Sequence, residues 1–237
     1  MIDINCDMGE GLGNEEELMP YISSANIACG YHAGDIDTMK FVIELCLQHG
    51  VNIGAHPSFA DRENFGRTAM QLPGPMIYDL VIAQLAIINN IANEYGARLN
   101  HVKLHGALYN MAAKDRLLAG ATARAVKDFD PGLLYVGLSG SVMIDEAKKM
   151  GLQTANEVFA DRTYQNDGSL TPRTEPNALL KDAEAVKKQV KKFENGQRVK
   201  TVTGEEIFLK ADTICIHGDG AYATEFAKAI HEILHEN

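Results

Sequence analysis

The chain has 237 residues, of which 46% are hydrophobic, a composition typical of a globular protein. Its 22 Lys and Arg residues against 32 Asp and Glu residues give a net charge of −10, which opposes general attraction to nucleic acid or to an anionic membrane. We recognise neither a secretory leader nor an apolar run long enough to span a bilayer, so we expect a cytoplasmic protein with one domain over residues 1–237.

Strand-like and helix-like segments alternate almost from end to end. A first strand follows Met1, and further strands are predicted over residues 24–30, 51–56, 101–105, 133–138, 152–159 and 213–217. Helices are predicted over residues 37–49, 73–96, 112–127, 142–150, 175–193 and 221–235. Seven such units predict a (β/α)7 TIM-like barrel, with a doubly wound open sheet as the alternative. Two short β-rich runs near 197–210 predict an added β-hairpin.

Several predicted strands have a polar face as well as an apolar one. The first strand alternates with period two, and its polar face consists of Asp3, Asn5 and Asp7. The alternation recurs in three later strands, through Asn52, Gly54 and His56, then His101, Lys103 and His105, then His217 and Asp219. Such groups are costly to bury between a sheet and helices, whereas around a barrel axis they can contact one another and a ligand. The pattern favours a barrel with a polar lumen, in which we expect Lys103 to pair with Asp3 or Asp7.

Titratable side chains gather where the predicted strands end, which is where barrel enzymes place their chemistry. We predict one catalytic acid/base cluster made of Asp7, His32, His56, His105 and His217. Asp7 is the candidate base that orients water, and a histidine is the candidate acid that protonates a departing amine. Whether a metal is bound stays open; if one is bound, Asp7, His56 and His105 are the candidate ligands.

Two long connections each contain an Asp-Arg pair followed by a second arginine. Arg62 and Arg67 follow the third predicted strand, and Arg162 and Arg173 follow the sixth. Arginine can bind a carboxylate or phosphate through two parallel hydrogen bonds, although an Asp–Arg pair within each loop is the alternative. The glycine-rich segment 9–13 does not predict a phosphate loop, because it is acidic and lacks a Gly-Lys-Ser/Thr ending. We therefore do not predict ATP binding by this chain alone.

Six segments together resemble the LamB/YcsF family over nearly the whole chain. They are DINCDMGE at 3–10, NIACGYHAGD at 26–35, GAHPS at 54–58, VKLHGALYN at 102–110, ADR at 160–162 and HGD at 217–219. The resemblance implies a barrel like those of the glycoside hydrolase/deacetylase superfamily. It also implies a subunit of ATP-dependent 5-oxoprolinase, which opens 5-oxo-L-proline to L-glutamate together with two partner subunits, B and C. ATP is then a co-substrate, bound with or by the partner subunits.

The residues fit this activity, because an amide that is stabilised by resonance needs activation, positioned water and a trapped leaving group. The predicted substrate-binding residues are Asn5, Lys103, Tyr109, Arg62, Arg67, Arg162 and Arg173. Two other functions stay open: a metal-dependent deacetylase or carbohydrate hydrolase, and a non-catalytic subunit that binds the lactam for partner enzymes.

Overall fold

A closed barrel of seven parallel strands forms the centre of the molecule. The computed structural model describes residues 2–216, 218 and 223–235. The strands are β1 (Asp3–Met8), β2 (Ser24–Ala28), β3 (Asn52–His56), β4 (His101–Lys103), β5 (Leu134–Leu138), β6 (Thr154–Phe159), β7 (Val199–Lys200), β8 (Glu206–Ile207) and β9 (Thr213–Ile216). The barrel order is β1-β2-β3-β4-β5-β6-β9, while β7 and β8 pair separately as an antiparallel hairpin. The predicted (β/α)7 barrel and its added hairpin are confirmed.

Helices cover the outside of the barrel between successive strands. They are α1 (Glu15–Leu18), α2 (Ile36–His49), α3 (Gly74–Glu94), α4 (Gly106–Ala112), α5 (Arg116–Phe129), α6 (Val142–Lys149), α7 (Ala183–Glu194) and α8 (Ala223–His235). The cap residues explain where several of them begin. The side chain of Asp35 accepts a hydrogen bond from Thr38 N at 2.9 Å to start α2, and Gly50, with a φ of 70°, ends that helix.

Two predicted helices were wrong in their extent. The helix predicted over 112–127 begins only at Arg116, because Asp115 caps it by accepting hydrogen bonds from Leu117 N and Leu118 N, and the separate helix α4 that precedes it was not predicted. The helix predicted from residue 175 begins only at Ala183, where Asp182 accepts a hydrogen bond from Ala185 N at 3.0 Å. The preceding residues form a loop that runs across the mouth of the barrel and carries Arg173 into it.

The helix α3 is long enough and apolar enough to cross a membrane by length and composition alone, so the expectation that no such run exists was wrong. In the structure, it packs one apolar face against the barrel instead. Its buried residues recur every three or four positions: Ile77, Val81, Gln84, Leu85, Ile88, Ile91 and Ala92. This spacing is that of an amphipathic helix in a layered α/β fold.

Polar side chains fill the lumen in successive layers. From the N-terminal end of the strands, the layers are Asp3 with Ser24 and Thr213, then Asn5 with Asn26 and His101, then Asp7 with Lys103 and Glu157. These groups bond to one another across the barrel axis, which satisfies the polar atoms that burial takes away from water. Gly54 leaves the space that the His101 ring occupies, since a Cβ at Gly54 would stand 2.0 Å from His101 Nε2.

Candidate active site

A buried lysine forms the floor of the site. Lys103 is 2% exposed, and its Nζ lies 2.9 Å from Asp7 Oδ1 and 2.8 Å from Glu157 Oε1. The second contact is an ion pair whose angles do not meet hydrogen-bond geometry. Burial by itself lowers the pKa of Lys103, but the neighbouring carboxylates outweigh it and raise that pKa well above its usual value. The lysine is therefore an ammonium held by two carboxylates, which makes it a poor nucleophile.

A tyrosine completes this network on the side away from Asp7. The Tyr109 hydroxyl donates a hydrogen bond to Glu157 Oε2 at 2.6 Å. Burial and the nearby Glu157 carboxylate raise the pKa of Tyr109 well above its usual value, so the hydroxyl keeps its proton and remains a donor.

Three imidazoles and a carboxylate meet next to this floor. His56 is the last residue of β3, whereas His32 and His105 follow β2 and β4, and the rings of His32 and His105 stack with centroids 3.8 Å apart. Glu10, in the loop after β1, places Oε1 at 3.1 Å from His32 Nε2 and 3.3 Å from His105 Nδ1. One ligand atom from each of these four residues lies within 4.8 Å of all the others. We call these four residues the histidine cluster.

Burial keeps two of these histidines, His32 and His105, from taking up a proton. Burial, helped by His56, lowers the pKa of His32 to about 3. Burial together with His56 and His32 also lowers the pKa of His105 well below its usual value. Both rings are neutral at physiological pH, the form in which imidazole binds a metal ion.

A cavity of about 710 Å³ opens above the floor and the histidine cluster. Its titratable lining residues are Asp7, Glu10, His56, Arg67, Lys103, His105, Tyr109, Lys114, Asp115, Arg162 and Arg173. Arg162 is held in place because its Nε and one terminal nitrogen donate to the carbonyl oxygens of Ala178 and Thr171. Burial and the adjacent positive charge of Arg173 lower the pKa of Arg162. Two neighbouring guanidinium groups at a cavity wall favour an anion beside them.

Known proteins resemble this chain over its full length. A family model described as LamB/YcsF family matches residues 2–237. The chain belongs to the LamB/YcsF family. A relative from Tolumonas auensis, whose name is that of the A subunit of 5-oxoprolinase, is 51% identical over 98% of this chain and 95% of its own length. A relative of the same name from Staphylococcus saprophyticus is 48% identical over 98% of this chain and 94% of its own length.

A solved structure also resembles this LamB/YcsF chain. The crystal structure of a lactam utilization protein from Thermus thermophilus is 39% identical in sequence and superposes with a TM-score of 0.91. The match covers 99% of this chain and 96% of that protein. The two proteins therefore share one fold over nearly their whole length.

The structure brings together four of the five predicted catalytic residues in this LamB/YcsF barrel. Asp7 Oδ2 lies 3.3 Å from His56 Nε2, and His32 and His105 are the neighbours already described. His217, the fifth, lies outside the described residues. Among the predicted metal ligands, Asp7 instead pairs with Lys103, while Glu10 and His32 join His56 and His105.

Two predicted substrate-binding residues of the LamB/YcsF chain are not among the described residues that line the cavity. Asn5 is buried in the layer beneath Lys103, where its side chain bonds to Thr213, Asn26 and Lys103, so it supports the floor. Arg62 points its guanidinium at the carbonyl oxygens of Gly30 and Gly34, at 3.1 and 2.8 Å, and thereby ties two loops together. The other five predicted residues, Lys103, Tyr109, Arg67, Arg162 and Arg173, do line the cavity.

Sequence reasoning missed two carboxylates of the LamB/YcsF site. Glu157 was overlooked because period two places it on the same face of β6 as the apolar residues Ala155 and Phe159, so no polar face is evident in that strand. Glu10 was treated only as a group that repels phosphate. Gly9, with a φ of 71°, turns the chain directly after β1, and nothing in the local sequence indicates where that turn aims the next side chain.

Proposed function

We propose that this chain is the subunit of an ATP-dependent 5-oxoprolinase that binds 5-oxo-L-proline and opens its ring to L-glutamate. The names of the full-length relatives support this assignment, and one feature of the site carries it. That feature is a cavity in which fixed arginines lie beside an oriented carboxylate, in a protein whose net charge is −10. Such a site suits a small anionic substrate that must be activated and then attacked by water.

The cationic wall matches the charges of the substrate. 5-Oxoproline carries one carboxylate, and transfer of a phosphoryl group to its amide oxygen adds a second anion. Arg67, Arg162 and Arg173 supply three guanidinium groups, enough for separate contacts with both anions. The volume of about 710 Å³ exceeds what a five-membered ring fills, which leaves room for the phosphoryl group.

The proposed reaction places Asp7 beside the carbon that is attacked. The amide oxygen attacks the γ-phosphorus of ATP and ADP departs, which activates the ring carbon. Water adds to that carbon and gives its proton to Asp7, whose Oδ1 is held by Lys103 at 2.9 Å and by Asn26 at 2.8 Å. The C–N bond then breaks as Asp7 returns its proton to the nitrogen. The added hydroxyl gives its own proton to the released amine, so that its oxygen becomes the carbonyl of an acyl phosphate and the amine becomes an ammonium. A second water releases phosphate and glutamate.

ATP is proposed as the co-substrate of the assembled enzyme. The segment 9–13 presents Glu10 and lacks the lysine of a phosphate loop, so we assign the main nucleotide contacts to two partner subunits, B and C. We further propose that the assembly works in the cytoplasm, where ATP is available. The carbon that is attacked then lies at the floor of this chain, while the phosphoryl donor enters from the cavity mouth.

The test is an assay of the chain with and without both partner subunits, in which ADP and glutamate are measured together. We expect both products only when all three subunits are present. Arg173→Lys keeps the charge and removes the planar fork, so we expect ~10-fold or greater loss in kcat/KM for 5-oxoproline. Arg98→Lys, an exposed arginine outside the cavity, is the matched control and should retain full activity.

The same assay separates the alternatives. Asp7→Asn should lower turnover by ~100- to 10,000-fold while the affinity for 5-oxoproline changes little, because it removes a proton acceptor. Full turnover in Asp7→Asn would favour a subunit that only binds the lactam. Release of acetate from an acetylated sugar by the chain alone, without ATP, would favour a deacetylase.

A further inference from the structure

The ring orientations of two buried histidines are fixed by carbonyl groups. His56 Nδ1 lies 2.8 Å from the carbonyl oxygen of Lys103, and His105 Nε2 lies 2.9 Å from the carbonyl oxygen of Phe65. A carbonyl oxygen only accepts hydrogen bonds, so both of these ring nitrogens carry protons. The other two ring nitrogens, His56 Nε2 and His105 Nδ1, face each other at 2.9 Å. A single bridging atom fits between them, either a proton or a metal ion.

The third histidine has the same orientation for a different reason. His32 Nδ1 lies 2.9 Å from the Ser58 hydroxyl oxygen, and that hydroxyl donates its single proton to the carbonyl oxygen of Phe59 at 2.9 Å. The Ser58 oxygen must then accept from His32, which puts the proton of His32 on Nδ1. His32 Nε2 is left bare and points at Glu10 Oε1 at 3.1 Å. Three separate outer partners thus orient three ring nitrogens towards one carboxylate oxygen.

The spacing of these four atoms matches that of ligands around one ion. Ligands about 2.1 Å from a shared ion in a tetrahedron lie ~3.4 Å apart. Four of the six separations are 2.9 Å for His56 to His105, 3.1 Å for His32 to Glu10, 3.3 Å for His105 to Glu10 and 3.9 Å for His56 to Glu10, and all six lie within 4.8 Å. An added proton could bridge only one pair of these atoms, whereas a cation at the centre satisfies all four.

We infer that the histidine cluster binds one divalent transition-metal ion, with Glu10, His32, His56 and His105 as its ligands. Three imidazoles select ions such as Zn²⁺ over Mg²⁺ and Ca²⁺, which require oxygen ligands. The outer partners, namely the Lys103 and Phe65 carbonyls and the Ser58 hydroxyl, hold the rings in the ligand orientation. When bound at the cavity, such an ion polarises a carbonyl or phosphoryl oxygen. The three histidines are then ligands, rather than the acids predicted from the sequence.

The direct test is metal binding by the folded chain alone, without ATP, substrate or partner subunits, so that its outcome is independent of the proposed ring opening. The chain is stripped with a chelator and titrated with Zn²⁺ by calorimetry. We expect one Zn²⁺ per chain, a raised Tm, and no saturable binding of Mg²⁺. Co²⁺ in place of Zn²⁺ should give the visible absorption of an ion bound by nitrogen and oxygen ligands. Folded wild-type chain that binds no Zn²⁺ would overturn the inference.

Variants show where the ion binds, and they distinguish the loss of a metal ligand from unfolding of the chain. Ser58→Ala leaves all four ligands in place but removes the partner of His32 Nδ1, so Zn²⁺ affinity should fall ~10- to 100-fold. Glu10→Gln and His105→Gln should lose more affinity than Ser58→Ala, with the circular dichroism spectrum showing that each chain is folded. His49→Gln, an exposed histidine at the end of α2, is the control and should bind as the wild type does. Equal Zn²⁺ affinity in all four variants would place the ion elsewhere and refute the assignment.

Discussion

Replacing Gly54 by alanine tests whether the packing of the lumen determines the stability of the barrel. The added Cβ would stand 2.0 Å from Nε2, 2.3 Å from Cε1 and 2.4 Å from Cδ2 of the His101 ring, and no carbon tolerates such contacts. Because both residues lie on neighbouring paired strands, the ring must turn away. Turning breaks the bond of 2.8 Å between His101 Nε2 and Asn26 Oδ1, and Asn26 is also the amide that holds Asp7.

The cost of Gly54→Ala follows from these two effects. Overpacking a filled interior costs ~1–3 kcal/mol, and leaving a buried acceptor unsatisfied costs a further ~1–3 kcal/mol. The free energy of unfolding should therefore fall by ~2–6 kcal/mol, out of a total of ~5–15 kcal/mol for a typical protein. For a chain of this length each kcal/mol lowers Tm by ~2–4 °C, so a loss of at least ~4 °C is expected.

Thermal unfolding measures the effect against a matched control. Gly120 lies inside α5, where an added Cβ meets only Met150 Cε at 4.0 Å. Gly120→Ala should therefore raise the stability by up to ~1 kcal/mol through helix propensity. In a His101→Ala background, Gly54→Ala should cost little, because the clashing ring is gone. A Tm for Gly54→Ala equal to that of Gly120→Ala, or the same cost in both backgrounds, would refute this account of the lumen.

Three other outcomes are expected from the same network. Lys103→Met should lower the free energy of unfolding in urea by ~3–5 kcal/mol, because two buried carboxylates lose their cation. Lys149→Met, at an exposed ion pair, should lower it by less than ~1 kcal/mol. Equal losses in the two variants would contradict the buried ion pair. Burial lowers the pKa of His101 to about 4, so below about pH 6.5 the unfolded chain takes up a proton that the folded chain excludes. The contribution of His101 to the free energy of unfolding is thus complete above about pH 6.5. It falls by ~1.4 kcal/mol per pH unit as the pH decreases towards 4. His101→Gln should flatten this slope between pH 7 and 5, and an unchanged slope would assign it to other groups. Tyr109→Phe should lower the free energy of unfolding by ~1–3 kcal/mol, because Glu157 Oε2 loses its hydrogen-bond donor. An unchanged free energy of unfolding in the same urea assay would show that water replaces the hydroxyl.

The sequence predicted the barrel and its polar lumen because both depend on periodicity. Period-two alternation around Asp7 and Lys103 is a local property of a strand, and it already specifies which side chains share a face. The conformations of the loops could not be predicted in this way. Phe65 has a φ of 56°, a strained value for a residue with a side chain, and no feature of its neighbours indicates that its carbonyl oxygen will meet His105.

The sequence also did not indicate which of the predicted arginines line the cavity. Arg62 and Arg162 occupy equivalent places in two similar motifs, Phe-Ala-Asp-Arg, yet only Arg162 lines the cavity. Arg62 starts a short 3-10 turn and reaches the loop after β2, whereas Arg162 is drawn inward by the carbonyl oxygens of Thr171 and Ala178. The difference comes from contacts between segments that are distant in sequence, which a motif does not encode.

The barrel closes without the segment that carries two of its three cavity arginines. Strand β6 pairs directly with β9 through Glu157 with Thr213 and Phe159 with Cys215, so residues 160–212 leave the wall after one strand and return beside it. Only the two ends of this segment take part in closing the sheet: Ala160 N donates to the carbonyl oxygen of Cys215, and Asp212 N donates to that of Asn156. Two of the three arginines at the cavity wall therefore lie in a stretch of chain separate from the paired strands, and substitutions between its two ends can change the cavity wall without altering the pairing of β6 with β9.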